Sequence, residues 1–276
     1  MTERITAMVI RWVLTAWFFS HILLAGSVQT VAVYSVAMDT TLNNIVVLPD
    51  RDELSVQMFP AIYLLHGWSG SYEDWIRETD LIRLADEYRV IIICPEGGYA
   101  GWYLDSPVNG KNRFTTYVGR ELADWIDETF PTRKERTFRA ITGLSMGGHG
   151  ALYIAGQYPT TFAGAGSMSG VLDLTQTRFA DDIRLLMGLS EIKDLIPYSV
   201  SGNIAALKNI SPVIIIDCGV DDAFITANRE VHQAMIRDEL PHTYIERPGG
   251  HSWNYWTNAL EYHILFFIKE LNWPNR

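Results

Sequence analysis

Ser145 lies in Gly143-Leu144-Ser145-Met146-Gly147, a G-x-S-x-G pentapeptide between a run that reads as a strand, Thr137–Thr142, and one that reads as a helix, Met146–Gln157. A serine in that context stands on a sharp, strained strand-to-helix turn with its hydroxyl lifted clear of the sheet, where a nucleophile for acyl chemistry belongs. Gly143 and Gly147 face each other across such a turn, where a side chain would clash. A serine hydroxyl is a weak nucleophile and needs a base within hydrogen-bond reach. Of the seven histidines, His251 is the candidate, because it follows the last strand in Pro248-Gly249-Gly250-His251-Ser252-Trp253. His66 precedes the nucleophile and is expected to order its own loop, while His149 lies one turn into the helix and points away. His232, His242 and His263 read as helix or strand surface residues, and His21 falls in the N-terminal segment. The base in turn needs a carboxylate to hold its tautomer and stabilise the imidazolium. Asp217, Asp221 and Asp222 cluster at the end of one strand. Asp217 is still inside the strand and Asp221 could instead cap the next helix, so spacing alone leaves Asp221 and Asp222 open.

Charge that develops on a carbonyl oxygen under attack by Ser145 needs N–H donors beside it. The backbone N–H of Met146 is one candidate, and that of Trp68, after the run Ala61–Leu65, is the other.

These residues need a scaffold that gathers strand ends. Val31–Val36 and Leu42–Leu48 are short and β-rich, an opening antiparallel pair. Ala61–Leu65 is fully apolar and bounded by Pro60 and His66-Gly67, so it reads as a buried strand. Further strands are expected at Val90–Cys94, Phe162–Met168, Val213–Cys218 and Thr243–Glu246, with helices over 81–88, 118–126, 226–239 and 254–271. Alternation of this kind implies a mostly parallel, doubly wound sheet with helices on both faces. Ligands in such sheets bind at the carboxyl ends of the strands, and each candidate above falls just after a strand. Segment 171–211 shows no clear strand and occupies the place of a possible cap or lid.

The chain has 276 residues, 48% of them hydrophobic and 20% charged, which suits one large α/β domain. Its formal net charge of −10, with no long Lys/Arg run, argues against a nucleic-acid partner. Arg4 and Arg11 precede an apolar run, Trp12 to Ala25, followed by Gly26-Ser27. That is the pattern of a secretory signal over residues 1–27, leaving 28–276 as a single exported domain without stable membrane insertion. Cys94 and Cys218 are expected several strands apart, hence two free thiols. No cluster has metal-ligand spacing, and neither a metal nor a cofactor is implied.

The chain resembles the α/β-hydrolase esterase family of feruloyl and acetyl-xylan esterases, tributyrin-type esterases, S-formylglutathione hydrolases and mycolyltransferases. The resemblance runs from about Val31 to Trp273. It is carried by Tyr63-Leu64-Leu65-His66-Gly67, by Gly143 to Leu152, by Asp217-Cys218-Gly219-Val220-Asp221-Asp222, and by Gly249-Gly250-His251-Ser252-Trp253. It implies an α/β-hydrolase fold and a serine carboxylesterase acting on small-molecule or carbohydrate esters, with short-chain or aromatic acyl groups. It also points to Asp222 as the acid, and to the loop of Trp102 and Tyr103 as lying beside the acyl site. Trp102, Tyr103 and Trp253 are therefore expected to bind substrate. An acyltransferase or an S-formylglutathione hydrolase-like thioesterase would share the same catalytic residues. A lipase would want a longer apolar lid, and a noncatalytic binding module should have lost one of the three.

Overall fold

The computed structural model describes residues 23–24, 26–52, 57–208 and 213–274. The signal-type segment read over 1–27 lies outside these apart from its last few residues.

Eight strands form one sheet: β1 (Ser27–Ser35), β2 (Thr40–Leu48), β3 (Ala61–Leu65), β4 (Ile91–Pro95), β5 (Arg139–Gly143), β6 (Gly164–Met168), β7 (Val213–Gly219) and β8 (Thr243–Arg247). Their order is β1-β2-β4-β3-β5-β6-β7-β8. The first two strands are antiparallel to each other and β2 is antiparallel to β4, while the remaining neighbours are parallel. Every residue of β3, β4, β5 and β6 is buried, as expected for central strands covered on both faces. The chain is an α/β hydrolase in architecture.

From β3 the chain goes to β4 on one side and later to β5 on the other. The loops after β3 and β5 therefore flank a topological switch point, where a crevice opens at the strand ends. Those loops carry Trp68 and Ser145.

Helices supply the two outer layers. Helix α1 (Leu81–Tyr88) begins at Asp80, whose carboxylate accepts the N–H of Arg83 at 3.1 Å, and ends on Arg89 in the left-handed region. It buries Leu81, Leu84, Ala85 and Tyr88, the stripe that the sequence spacing predicts. A helical stretch from Phe114 to Thr129 contains a π-turn at Tyr117–Glu121 and ends in α2 (Leu122–Thr129). Helix α3 (Met146–Gln157) is buried along most of its length, α4 (Ile225–Arg237) follows β7, and α5 (Trp253–Glu270) closes the chain.

The stripe of α5 that faces the sheet runs Trp256, Ala259, Leu260, His263, Ile264, Phe267. His263 is therefore fully buried, and not the surface residue that its type suggested. Its Nδ1 is 2.8 Å from the Thr142 hydroxyl, and burial pushes its pKa down to about 3, so it is neutral. His232 and His242 are partly buried and bonded to each other, Nδ1 to Nε2, at 2.7 Å.

Cys94 and Cys218 are free and buried, one on β4 and one on β7. Four strand spacings separate them, roughly 19 Å, beyond the reach of a disulfide. Segment 171–208 is a run of short helical turns, at 174–176, 180–186, 192–198 and 204–208, anchored by buried Leu174, Ile183, Leu195 and Leu207.

Candidate active site

Ser145 links β5 to α3 with φ 53° and ψ −115°, a strained conformation for a residue with a side chain. Neighbours allow it only because two positions lack one. A Cβ on Gly143 would lie 2.7 Å from the Gly147 carbonyl, and one on Gly147 would lie 2.6 Å from the carbonyl oxygens of both Leu65 and His66. The turn is pinned by the Ser145 N–H donating to Met168 O at 2.9 Å and by the Val171 N–H donating to Ser145 O at 3.2 Å.

From this turn a hydrogen-bonded chain crosses three strand ends. The Ser145 Oγ is 2.9 Å from His251 Nε2, and His251 Nδ1 is 2.9 Å from Asp222 Oδ2. A carboxylate can only accept, so Nδ1 carries the proton and Nε2 is left free to accept from the serine hydroxyl. Asp222 follows β7 and is buried, whereas Asp221 is exposed and Asp217 is engaged elsewhere, by Arg247 and Tyr255. Burial opposes ionisation of Asp222, but the hydrogen bonds from His251 and the Phe224 N–H outweigh it, and its pKa lies below the usual carboxylate range. The loops bearing the acid and the base are joined directly, since the N–H groups of Val220 and Asp221 donate to the carbonyls of Arg247 and Gly249, both at 2.9 Å. A Cβ on Gly219 would meet Gly249 O at 2.2 Å, so this approach also needs a glycine.

The N–H of Met146 opens α3 and has no partner inside the helix. Among the described residues neither it nor the Trp68 N–H donates to a protein acceptor. Both are free for an oxyanion.

A cleft of about 760 Å³ opens on Ser145 and His251. Its apolar walls are Trp68, Phe179, Phe224, Trp253 and Trp256. The imidazole of His251 sits edge-on between Phe224 and Trp256, with centroids 5.1 and 4.8 Å away. Trp68 packs on Phe179 at 4.8 Å, and Trp253 on Trp256 at 5.4 Å. At the mouth, Arg77 is paired with Asp74 at 2.8 Å, and the Arg178 guanidinium lies 4.7 Å from the Phe179 ring centroid.

Of the three residues expected to bind substrate, only Trp253 lines the cleft. Trp102 and Tyr103 are 1% and 0% exposed, so neither offers a face to a ligand. Both adopt positive φ, 54° and 55°. Trp102 supports Phe179 from behind at 5.6 Å. Phe179, Phe224 and Trp256 went unnoticed in the sequence. Trp256 is one helical turn beyond Trp253 and Phe224 two residues beyond Asp222, spacings that would have found both. Phe179 lies in a segment without periodicity, and nothing in the sequence marks it.

His66 and His149 hold the backbone around the site. The Gly97 N–H donates to His66 Nε2 at 2.9 Å, so Nδ1 carries the proton and donates to Gly67 O at 2.8 Å. His149 is buried, its Nε2 2.8 Å from Tyr198 O, and desolvation pushes its pKa down to about 4. Among the described residues there is no group of three metal-ligating side chains, and no helix is long and apolar enough to cross a membrane.

Fold and site together define a serine-hydrolase architecture, and comparison with known proteins supplies the family. The Esterase family model matches residues 35–267, and the chain belongs to that family. The chain is 28% identical over 239 residues to the acetyl esterase of Caldicellulosiruptor saccharolyticus, covering 78% of this chain and 88% of that protein. It is 30% identical over 238 residues to an esterase of Mycobacterium tuberculosis, covering 75% of this chain and 51%, about half, of that longer protein. Among solved structures, the fluorophosphonate-binding serine hydrolase F of Staphylococcus aureus superposes with TM-score 0.79 at 23% identity, covering 88% of this chain and 98% of that one, a likeness of fold. The protein is a carboxylic ester hydrolase.

Proposed function

We propose that the chain hydrolyses short-chain or aromatic acyl esters, such as the acetyl or feruloyl groups of plant cell-wall carbohydrate, through an acyl-enzyme. The observation that carries this reading is the unbroken Oγ–Nε2, Nδ1–Oδ2 chain, with both contacts at 2.9 Å, opening into an aromatic-walled cleft. In the first half-reaction Ser145 Oγ attacks the ester carbonyl as its proton passes to His251 Nε2, and Asp222 stabilises the resulting imidazolium. The oxyanion lies against the N–H groups of Met146 and Trp68. Collapse expels the alcohol, which takes the proton from Nε2. Water then repeats the sequence on the acyl-serine, with His251 again as base.

Aromatic walls favour planar acyl groups or sugar rings by stacking, and the acetyl esterase relative supports a small acyl group. An acyltransferase would use the same residues and differ only in whether an acceptor alcohol outcompetes water. Export rests on Arg4, Arg11 and the apolar run to Ala25, and N-terminal sequencing of the protein recovered from culture would test it.

Ser145→Ala is expected to abolish hydrolysis of p-nitrophenyl acetate, by about 10⁴-fold or more, with unchanged folding. Near-normal turnover would refute the mechanism. A panel of acetyl-xylan, methyl ferulate and p-nitrophenyl butyrate, run with and without added sugar acceptors, separates the acyl preferences and separates hydrolysis from transfer.

A further inference from the structure

We propose that Tyr103 is a positioning residue for the oxyanion site, a rigid post that sets the separation between the Trp68 and Met146 N–H groups. The inference rests on the serine-esterase reading above and adds a residue that touches no substrate.

Two bulky residues in succession, Trp102 and Tyr103, hold positive φ, a conformation that residues with large side chains rarely adopt. Strain of this kind persists only where the surroundings over-determine it, and it concentrates at functional sites. Here the surroundings do so. The buried Asn112 amide donates to Gly101 O at 3.1 Å and Leu104 O at 2.9 Å, and the Thr115 hydroxyl donates to Tyr103 O at 2.6 Å.

The strained turn drives the Tyr103 ring between the two elements that carry the oxyanion donors. On one side the ring lies against α3, so closely that a Cβ on Gly150 would sit 2.5 Å from Tyr103 Cδ2. At the far end the hydroxyl accepts the His66 N–H at 3.1 Å and faces the His66 carbonyl at 3.3 Å, to which it donates. His66 is the residue immediately before Gly67-Trp68. Its carbonyl also borders Gly147, the residue after Met146. A single side chain thus abuts the helix whose first N–H is one donor, and holds the peptide that leads to the other. Gly97 is required on the third side, since a Cβ there would lie 2.3 Å from Tyr103 Cζ. Gly97 is the residue whose N–H fixes the His66 ring.

A tyrosine that merely filled the core would affect stability alone. A post that sets donor spacing acts where charge develops, in the transition state, and so its loss lowers kcat while leaving KM. In the full chain, Tyr103→Phe keeps the ring and removes the hydroxyl. With p-nitrophenyl acetate the expected result is a fall in kcat of about 10- to 100-fold, with KM within about twofold. Affinity for a trifluoromethyl ketone, whose serine adduct carries an oxyanion, should fall by a similar factor. The midpoint of the kcat/KM pH profile should stay in place, because the His251–Asp222 contact is untouched. Tyr117→Phe is the control: it removes another buried hydroxyl, bonded to Asn44, and should lower Tm without lowering kcat.

The proposal is overturned if Tyr103→Phe keeps kcat within about twofold, if the loss falls on KM, or if the pH midpoint moves. Should Tyr103→Phe fail to fold, Gly150→Ala decides, since it presses on the same ring from the other side and should show the same split between kcat and KM. Active Ser145→Ala would sink the esterase reading itself. Inactive Ser145→Ala with fully active Tyr103→Phe would sink only the post.

Discussion

Ser145 is set between two aromatic regions built from the same residue types and put to opposite uses. Behind it, Trp102 and Tyr103 are closed off from solvent, Trp102 against the rings of Phe179 and His149, Tyr103 against Gly97, Gly150 and the His66 backbone. In front, Trp68, Phe179 and Trp253 are partly exposed and line a cleft, with the largely buried Trp256 beneath them. Exposure alone does not create this difference. The rear pair sits on a turn in the left-handed region with both rings buried, whereas Trp253 opens a helix and is only partly covered. At this site the buried pair and the cleft-facing group therefore differ in backbone conformation as well as in exposure.

The comparison makes the rear pair a matter of stability and turnover, and the front group a matter of binding. Trp102→Ala should have the largest effect on stability, about 3–5 kcal/mol by urea unfolding, because a large buried ring leaves a cavity that close packing fills poorly. A loss below 1 kcal/mol would mean that the ring is not the buried support described.

Trp253→Ala should leave stability within about 1 kcal/mol and raise KM for an aromatic ester about 3- to 10-fold, the value of one aromatic contact. Unchanged KM with reduced stability would place Trp253 with the rear group and erase the distinction.

A pH-dependent effect also belongs to the region behind the serine. His149 and His263 are held neutral by burial, with pKa values pushed from 6.5 down to about 4 and about 3, and burial lowers that of His66 in the same direction. The unfolded chain takes up these protons near pH 6.5, while the folded one resists until far lower. Stability is therefore complete above about pH 6.5 and is lost as pH falls towards 4 and then 3, with a slope approaching about 1.4 kcal/mol per pH unit for each histidine. Urea melts at pH 7, 6 and 5 read this directly. A flat profile would contradict the burial.

Much of the scaffold was legible because buried strands announce themselves as short apolar runs and the nucleophile turn needs its glycines. The eight strands lie within a few residues of the runs that pointed to them. Candidate residues at strand ends were visible for the same reason, since a doubly wound sheet collects those ends along one rim. Spacing could not choose between Asp221 and Asp222, because adjacent loop residues point to opposite sides only once the backbone is known. In the structure Asp222 is the one that meets His251.

The misread residues have physical causes. Trp102 and Tyr103 stand among glycines and prolines, a setting typical of an exposed loop, and no local pattern signals two successive left-handed residues. The polarity of His263 points to the surface, although its spacing from Trp256, Leu260, Ile264 and Phe267 puts it on the inward stripe of α5. The wall formed by Phe179 depends on how segment 171–208 folds back over the strand ends, which is long-range packing with no periodic trace.

The sealed sulfurs of Cys94 and Cys218 have a further consequence. With no bridge to form and both thiol pKa values raised by burial, the covalent skeleton is the same under oxidising and reducing conditions. Dithiothreitol should leave the melting curve unmoved.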